Sequence, residues 1–283
     1  MEQQQSLRFK SSDWALILGA SSGFGGATAV ELARHGMNIC GVHFDRAATM
    51  PAVEEVKQKI TAAGVKMLFF NVNAADADKR TEVLNTLQKE LAANENAFVR
   101  VLMHSLAFGT LRPYISENHE NMITQQQVEM TVDVMAHSLV YWTQGAYTRN
   151  LLQKGSRIYA MTSSGGRTQI PHYGAVSAAK AALESHIRQL TMELGSFGIT
   201  ANSIMAGVTD TPALRKIPAA MNLINTAKAK NPQIRLTTPE DIARAIILVT
   251  HEYGSFISGN VLGVDAGEEI VSFIGQKNAR ELE

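Results

Sequence analysis

An apolar run at residues 15–18 (ALIL) passes without a break into Gly19-Ala20-Ser21-Ser22-Gly23-Phe24-Gly25-Gly26 and then into a helix-length stretch. No other feature constrains the fold of this chain as much. Glycines allow a tight turn and let another group approach the backbone closely. A helix that starts there presents unpaired N–H groups and the positive end of its dipole. Strand, glycine-rich turn and helix in that order make a pyrophosphate cradle. The spacing is G-x3-G-x-G rather than G-x-G-x-x-G. A glycine-rich turn by itself is also a plain strand–helix corner; its place after a first strand points to a nucleotide held by Gly19, Ser21, Ser22, Gly23, Phe24 and Gly25.

Six more strand-length apolar runs follow, at 38–42, 66–70, 99–103, 157–161, 199–204 and 260–264. Between them lie helix-length stretches at 27–35, 52–63, 77–92, 128–152, 176–194 and 239–249. Such alternation predicts an α/β fold of Rossmann type, a doubly wound parallel sheet. The 283 residues read as one domain, 1–12 and 271–283 being terminal extensions. The segment 209–238, with Pro212, Pro218 and Pro232, is expected to be a substrate-binding loop, and 219–230 within it reads equally as a short helix. With zero formal net charge, bulk electrostatics gives no pull toward nucleic acid or an anionic membrane. Cys40, the only cysteine, excludes an internal disulfide. The start has no apolar core of a secretory signal, and no run approaches the ~20 apolar residues of a membrane span. The expectation is a cytoplasmic protein. His43, His119, His172 and His251 are dispersed and show no metal-ligand spacing.

The stretch 156–195 carries the chemistry. Ser163 follows a strand, Tyr173 comes ten residues later, and Lys180 lies on a long helix. Hydride transfer to a polarised double bond builds negative charge on an oxygen, which a positioned hydroxyl can meet. A lysine cation nearby is expected to lower the tyrosine pKa. At about 100° per residue, offsets of four and seven both return to one helical face, the second one turn further along. Tyr173 is seven before Lys180.

With that cradle, Ser163 and a Tyr/Lys pair, the chain resembles the short-chain dehydrogenase/reductase family, from about Trp14 to Ile270. Val264-Asp265-Ala266-Gly267 is similar to its C-terminal V-D-G-G. Most of that family pairs Tyr-x3-Lys, but the position four before Lys180 is here Val176, which has no proton to give. The Tyr-x6-Lys spacing and His104-Ser105-Leu106-Ala107-Phe108-Gly109 resemble the enoyl-acyl-carrier-protein reductases, and Ser163 with Tyr-x6-Lys is similar to their divergent bacterial branch. Met135 stands where the common family keeps an asparagine that holds a relay water. The resemblance implies a catalytic set of Tyr173, Lys180 and Ser163. It also implies an adenine contact at Asn71 and Val72, and cofactor contacts at Ser105, Leu106, Ala107 and Lys180. Asn202 to Thr209 matches N-x-I-x-[PA]-G, so Gly207, Val208, Thr209 and Thr211 are expected to meet the nicotinamide carboxamide.

The ribose end should follow the second strand, at His43, Asp45 and Arg46. An acid there suits the 2′-hydroxyl of NAD and an arginine the 2′-phosphate of NADP. The residues argue both ways; the resemblance implies NADPH, with NADH the alternative. Three functions remain open: reduction of a trans-2-enoyl thioester in fatty-acid synthesis, an ordinary carbonyl or hydroxysteroid-type oxidoreductase, and a non-catalytic nucleotide sensor. The first implies acyl carrier protein as partner. Segment 209–238 is expected to close over an acyl chain with Leu214, Ile217, Met221, Leu223 and Ile224 inward, and with Arg215, Lys216, Lys228 and Lys230 outward. A homotetramer built on 128–152 and 176–194 is implied by the same resemblance.

Overall fold

The sheet begins with β1 (Asp13–Leu18), which alternates its side chains between two layers. Trp14, Leu16 and Leu18 enter one core, Ala15 and Ile17 the other. The computed structural model describes residues 7–217 and 220–272, so most of the expected terminal extensions and Pro218 lie outside the described residues. The chain continues through α1 (Gly23–Arg34), β2 (Asn38–His43), α2 (Met50–Ala62), β3 (Met67–Asn71), α3 (Ala77–Leu91) and β4 (Phe98–His104). Next come α4 (Gln125–Val132), a π-helical turn at Asp133–His137, α5 (Ser138–Tyr147), β5 (Arg157–Thr162) and α6 (Gly174–Leu194). It ends with β6 (Thr200–Ala206), α7 (Ala220–Lys230), α8 (Pro239–Thr250) and β7 (Val261–Val264).

All seven expected strands form one sheet in the order β3-β2-β1-β4-β5-β6-β7, and every pairing is parallel. Residues of α1 and α8 (Ala29, Leu32, Ile242, Ile246) cover one face. The other is covered from α3, α5 and α6, with Leu84, Trp142 and Leu183 buried there. The chain crosses from edge strand β3 to β4 beside β1, so the winding reverses at β1/β4. In such sheets the crevice at the carboxyl ends beside that point is where ligands bind.

The expected helix 128–152 differs in three ways. It starts at Gln125 because Thr124 and Gln127 form a reciprocal capping box. It carries a π turn at Asp133–His137, a device found often at functional sites. It ends at Tyr147 because Asn150 turns left-handed (φ 57°) and the Leu151 carbonyl accepts Val99 N–H at 2.8 Å. Segment 209–238 is partly helical, α7 occupying the middle, which settles that alternative in favour of helix.

Candidate active site

The cradle closes on itself through missing side chains. A Cβ at Gly19 (φ 89°) would strike the Ser105 carbonyl, and one at Gly25 would strike the Gly19 carbonyl. The turn is pinned from both sides: Gly19 N–H donates to Val42 O at 2.8 Å and Ser105 N–H to Leu18 O at 2.9 Å. Ser22 at the N-cap of α1 makes no side-chain cap bond, and the first turn holds no acid. By contrast, Asp76, Thr124 and Thr238 cap α3, α4 and α8. An N-terminus left uncapped by its own chain, in a glycine-lined hollow, fits a pyrophosphate.

At the end of β2, the His43 Nδ1 lies 3.0 Å from Asp45 Oδ2. Burial raises the Asp45 carboxyl, but hydrogen bonds from Ser21, Thr49 and His43 outweigh it and hold it below its ordinary value. Asp45 is thus ionised and turned toward Ser21 of the cradle, while Arg46 is exposed. Asn71 braces this loop. It accepts Asp45 N–H and donates to Asp45 O, both at 3.0 Å. Val72 packs against the core beside it.

Tyr173 is the N-cap residue of α6 rather than part of the helix (φ −94°, ψ 1°). Its hydroxyl lies 3.5 Å from Ser163 Oγ. The serine turn fits between the pair because a Cβ at Gly165 would strike the Tyr173 ring and one at Gly166 would lie 3.1 Å from Lys180 Cβ. Lys180, 6% exposed, donates to the Met161 carbonyl at 2.7 Å. Burial pushes its ammonium down to about 8, with Glu184 opposing. The expected lowering of the tyrosine pKa does not hold: burial pushes Tyr173 up and only the Ser163 hydrogen bond opposes it. The ammonium that was to act on the phenol is bound to a strand carbonyl.

Sequence reasoning passed over Glu184. Buried one turn after Lys180, it accepts from Thr162 Oγ1 at 2.8 Å and from Arg167 Nη2 at 3.3 Å. Its signal was the i,i+4 spacing from the lysine. Val176 is 5% exposed; with Thr131 and Met135 it closes around Gly109, where a Cβ would meet all three. It is a packing position. His104 is fully buried and kept neutral, its pKa pushed down to about 3 by desolvation, with Nε2 2.8 Å from Ser138 Oγ at the start of α5. Leu106, just beyond Ser105 and before Ala107, packs on that core.

After β6, the turn at Gly207 reaches the cradle, where a Cβ on Gly23 would lie 3.9 Å from the Thr211 methyl. The Thr209 hydroxyl donates to Gly207 O at 2.9 Å, and Thr211 Oγ1 accepts Leu214 N–H at 3.2 Å. Both hydroxyls serve the loop's own backbone. Val208 N–H donates to Glu268 Oε1 at 3.1 Å, a partner not foreseen. In segment 209–238, Ile224 is buried as expected, but Met221, in the first turn of α7, is 64% exposed. Arg215 is paired by two hydrogen bonds with Asp210, at 2.8 and 3.0 Å, and so leaves the expected cationic face.

A family model described as enoyl-(acyl carrier protein) reductase matches residues 19–269. The chain is 26% identical over 170 residues to an enoyl-[acyl-carrier-protein] reductase [NADH] of Buchnera aphidicola, covering 60% of this chain and 64% of that protein. The match thus spans just under two thirds of that relative's length. It is 26% identical over 270 residues to a cyclohexanol dehydrogenase of a Rhodococcus species, covering 89% and 94%. An enoyl-[acyl-carrier-protein] reductase (NADH) structure from Aquifex aeolicus superimposes with TM-score 0.79 at 20% identity, over 93% of this chain and 98% of that one. Nothing in these comparisons or in the geometry at Asp45 supports the NADPH that the sequence reading favoured.

Proposed function

The chain belongs to the short-chain dehydrogenase/reductase family, and on that premise we propose that it reduces trans-2-enoyl thioesters of acyl carrier protein with NADH. One observation carries the choice of an enoyl over a ketone substrate. The position that gives a proton in Tyr-x3-Lys enzymes is the buried core residue Val176, and the available phenol, Tyr173, sits one turn earlier beside Ser163. Met135, 2% exposed, likewise puts a thioether where a relay water would need a polar partner.

The residues divide the work. A bound nicotinamide supplies the hydride. The uncapped amides of α1 and the glycine hollow hold the pyrophosphate. Asp45, kept ionised, accepts from the ribose 2′-hydroxyl and repels a 2′-phosphate, which favours NADH. Tyr173, kept protonated by burial, donates to the thioester oxygen as charge develops there. Ser163 orients that hydroxyl, and Lys180, held on the Met161 carbonyl, would hold the nicotinamide ribose.

A carbonyl or alcohol oxidoreductase is the second reading, supported by the Ser163–Tyr173 approach and the long match to the Rhodococcus enzyme. Cofactor absorbance followed with crotonyl thioester, with a panel of ketones and with neither separates the two. Turnover on ketones alone overturns the enoyl reading, and no turnover on either leaves nucleotide sensing.

A further inference from the structure

Glu268, beyond β7, is a buried acid with no part in the chemistry above. It is 7% exposed. Its Oε1 accepts Val208 N–H at 3.1 Å, and its Oε2 accepts from Asn231 Nδ2 at 3.3 Å. Asn231, at the end of the lid helix, also donates to Asp265 O at 3.0 Å. Asp265 and Lys230 are the charged groups facing it. A carboxylate is tolerated in such a place only when donors compensate its lost hydration. Val208 N–H is one of them, and it belongs to the turn that lies across from the cradle.

We infer that Glu268 is an intramolecular stand-in for the nicotinamide carboxamide, holding the Val208 N–H that the carboxamide oxygen takes over when the cofactor binds. The inference rests on the proposed use of NADH and on the expectation from the sequence that its carboxamide meets Gly207–Thr209. A charged acceptor binds an N–H more strongly than a neutral amide oxygen does, so cofactor loading works against this bond. Asn231 keeps its bond to Asp265 throughout, so the end of the lid helix stays anchored while the turn changes partner.

The test is titration of NADH and of ADP-ribose into wild type, Glu268→Ala and Glu268→Gln by calorimetry. Competition predicts that Glu268→Ala binds NADH about tenfold more tightly. Glu268→Gln, which keeps a neutral acceptor and the side-chain volume, should fall between. ADP-ribose, which lacks the nicotinamide, should bind all three alike. Unchanged or weaker NADH binding in both variants overturns the inference, and so does equal tightening of ADP-ribose, which would report only the loss of a negative charge. If wild type binds neither NADH nor NADPH, the functional reading fails and takes this inference with it. If wild type binds NADH and the variants match it, this inference alone fails.

Discussion

Tyr173 and Lys180 do different things because burial acts on them oppositely. Desolvation keeps a phenol protonated and makes an ammonium easier to deprotonate. Tyr173 is therefore a donor, and Tyr173→Phe should lower kcat about 100-fold or more while NADH affinity, read by fluorescence titration, stays near wild type. Lys180 carries a stability signature with a definite sign. Its ammonium is driven from 10.5 down to about 8, so the unfolded chain binds the extra proton between those values. The fold bears the full penalty below pH 8 and sheds it as pH rises toward 10.5. Lys180→Met should accordingly be more stable than wild type at pH 7, by up to about 3 kcal/mol, in urea denaturation. That advantage should fade by pH 10 or so, and NADH affinity should drop in the same variant. A variant less stable at pH 7, or an advantage that does not change with pH, contradicts the assignment.

Among the elements, α1 lacks a side-chain cap at its N-terminus, as α2 and α6 do, but α1 starts from the glycine-rich turn at the switch point of the sheet. Thr124 and Thr238 satisfy their helices with capping boxes, whereas Ser22 leaves the first turn of α1 to an outside acceptor. The same hollow depends on backbone touching backbone at Gly25 and Gly19. Gly25→Ala should raise the NADH dissociation constant at least about tenfold, measured by calorimetry at a temperature where circular dichroism shows the variant folded. Binding at wild-type strength would remove the cradle from the cofactor site. The π turn in the α4–α5 segment works by a related logic: Ser138 Oγ donates to Val134 O at 2.8 Å while meeting buried His104. An irregular backbone is tolerated because a side chain satisfies it.

At the scale of the whole molecule, two surfaces remain to be explained. Leu248 is 61% exposed, Tyr253 83% and Phe256 100%, around the end of α8 just before edge strand β7. Exposed apolar groups beside a strand edge invite a second copy. We expect a homo-oligomer, a tetramer if α5 and α6 also pair; light scattering should show it, and Phe256→Asp should shift it toward monomer. The lid supplies the other surface. With Arg215 held by Asp210, the cations left to meet an acidic carrier are Lys216 and Lys228, both exposed. Reversing both to Glu should raise KM for an enoyl carrier-protein substrate severalfold and change KM for a small coenzyme A thioester far less. An equal response of both substrates removes docking and leaves a lid.

The alternation of apolar runs, the glycine spacing and the Tyr-x6-Lys interval are local patterns, and local patterns determined the fold and marked the glycine-rich turn and Tyr173, the proposed proton donor. The seven strands and the departure of Val176 from chemistry could be read directly from residue order. What residue order could not supply is which groups separated in the chain meet. Glu268 reaches Val208 across 60 positions, Asn71 reaches Asp45 across 26, and Lys180 reaches Met161 across 19. Those encounters set which N–H is taken, which carboxylate stays ionised and how far burial shifts an ammonium. Electrostatics and desolvation act through space rather than along the chain, so only the tertiary structure decided them.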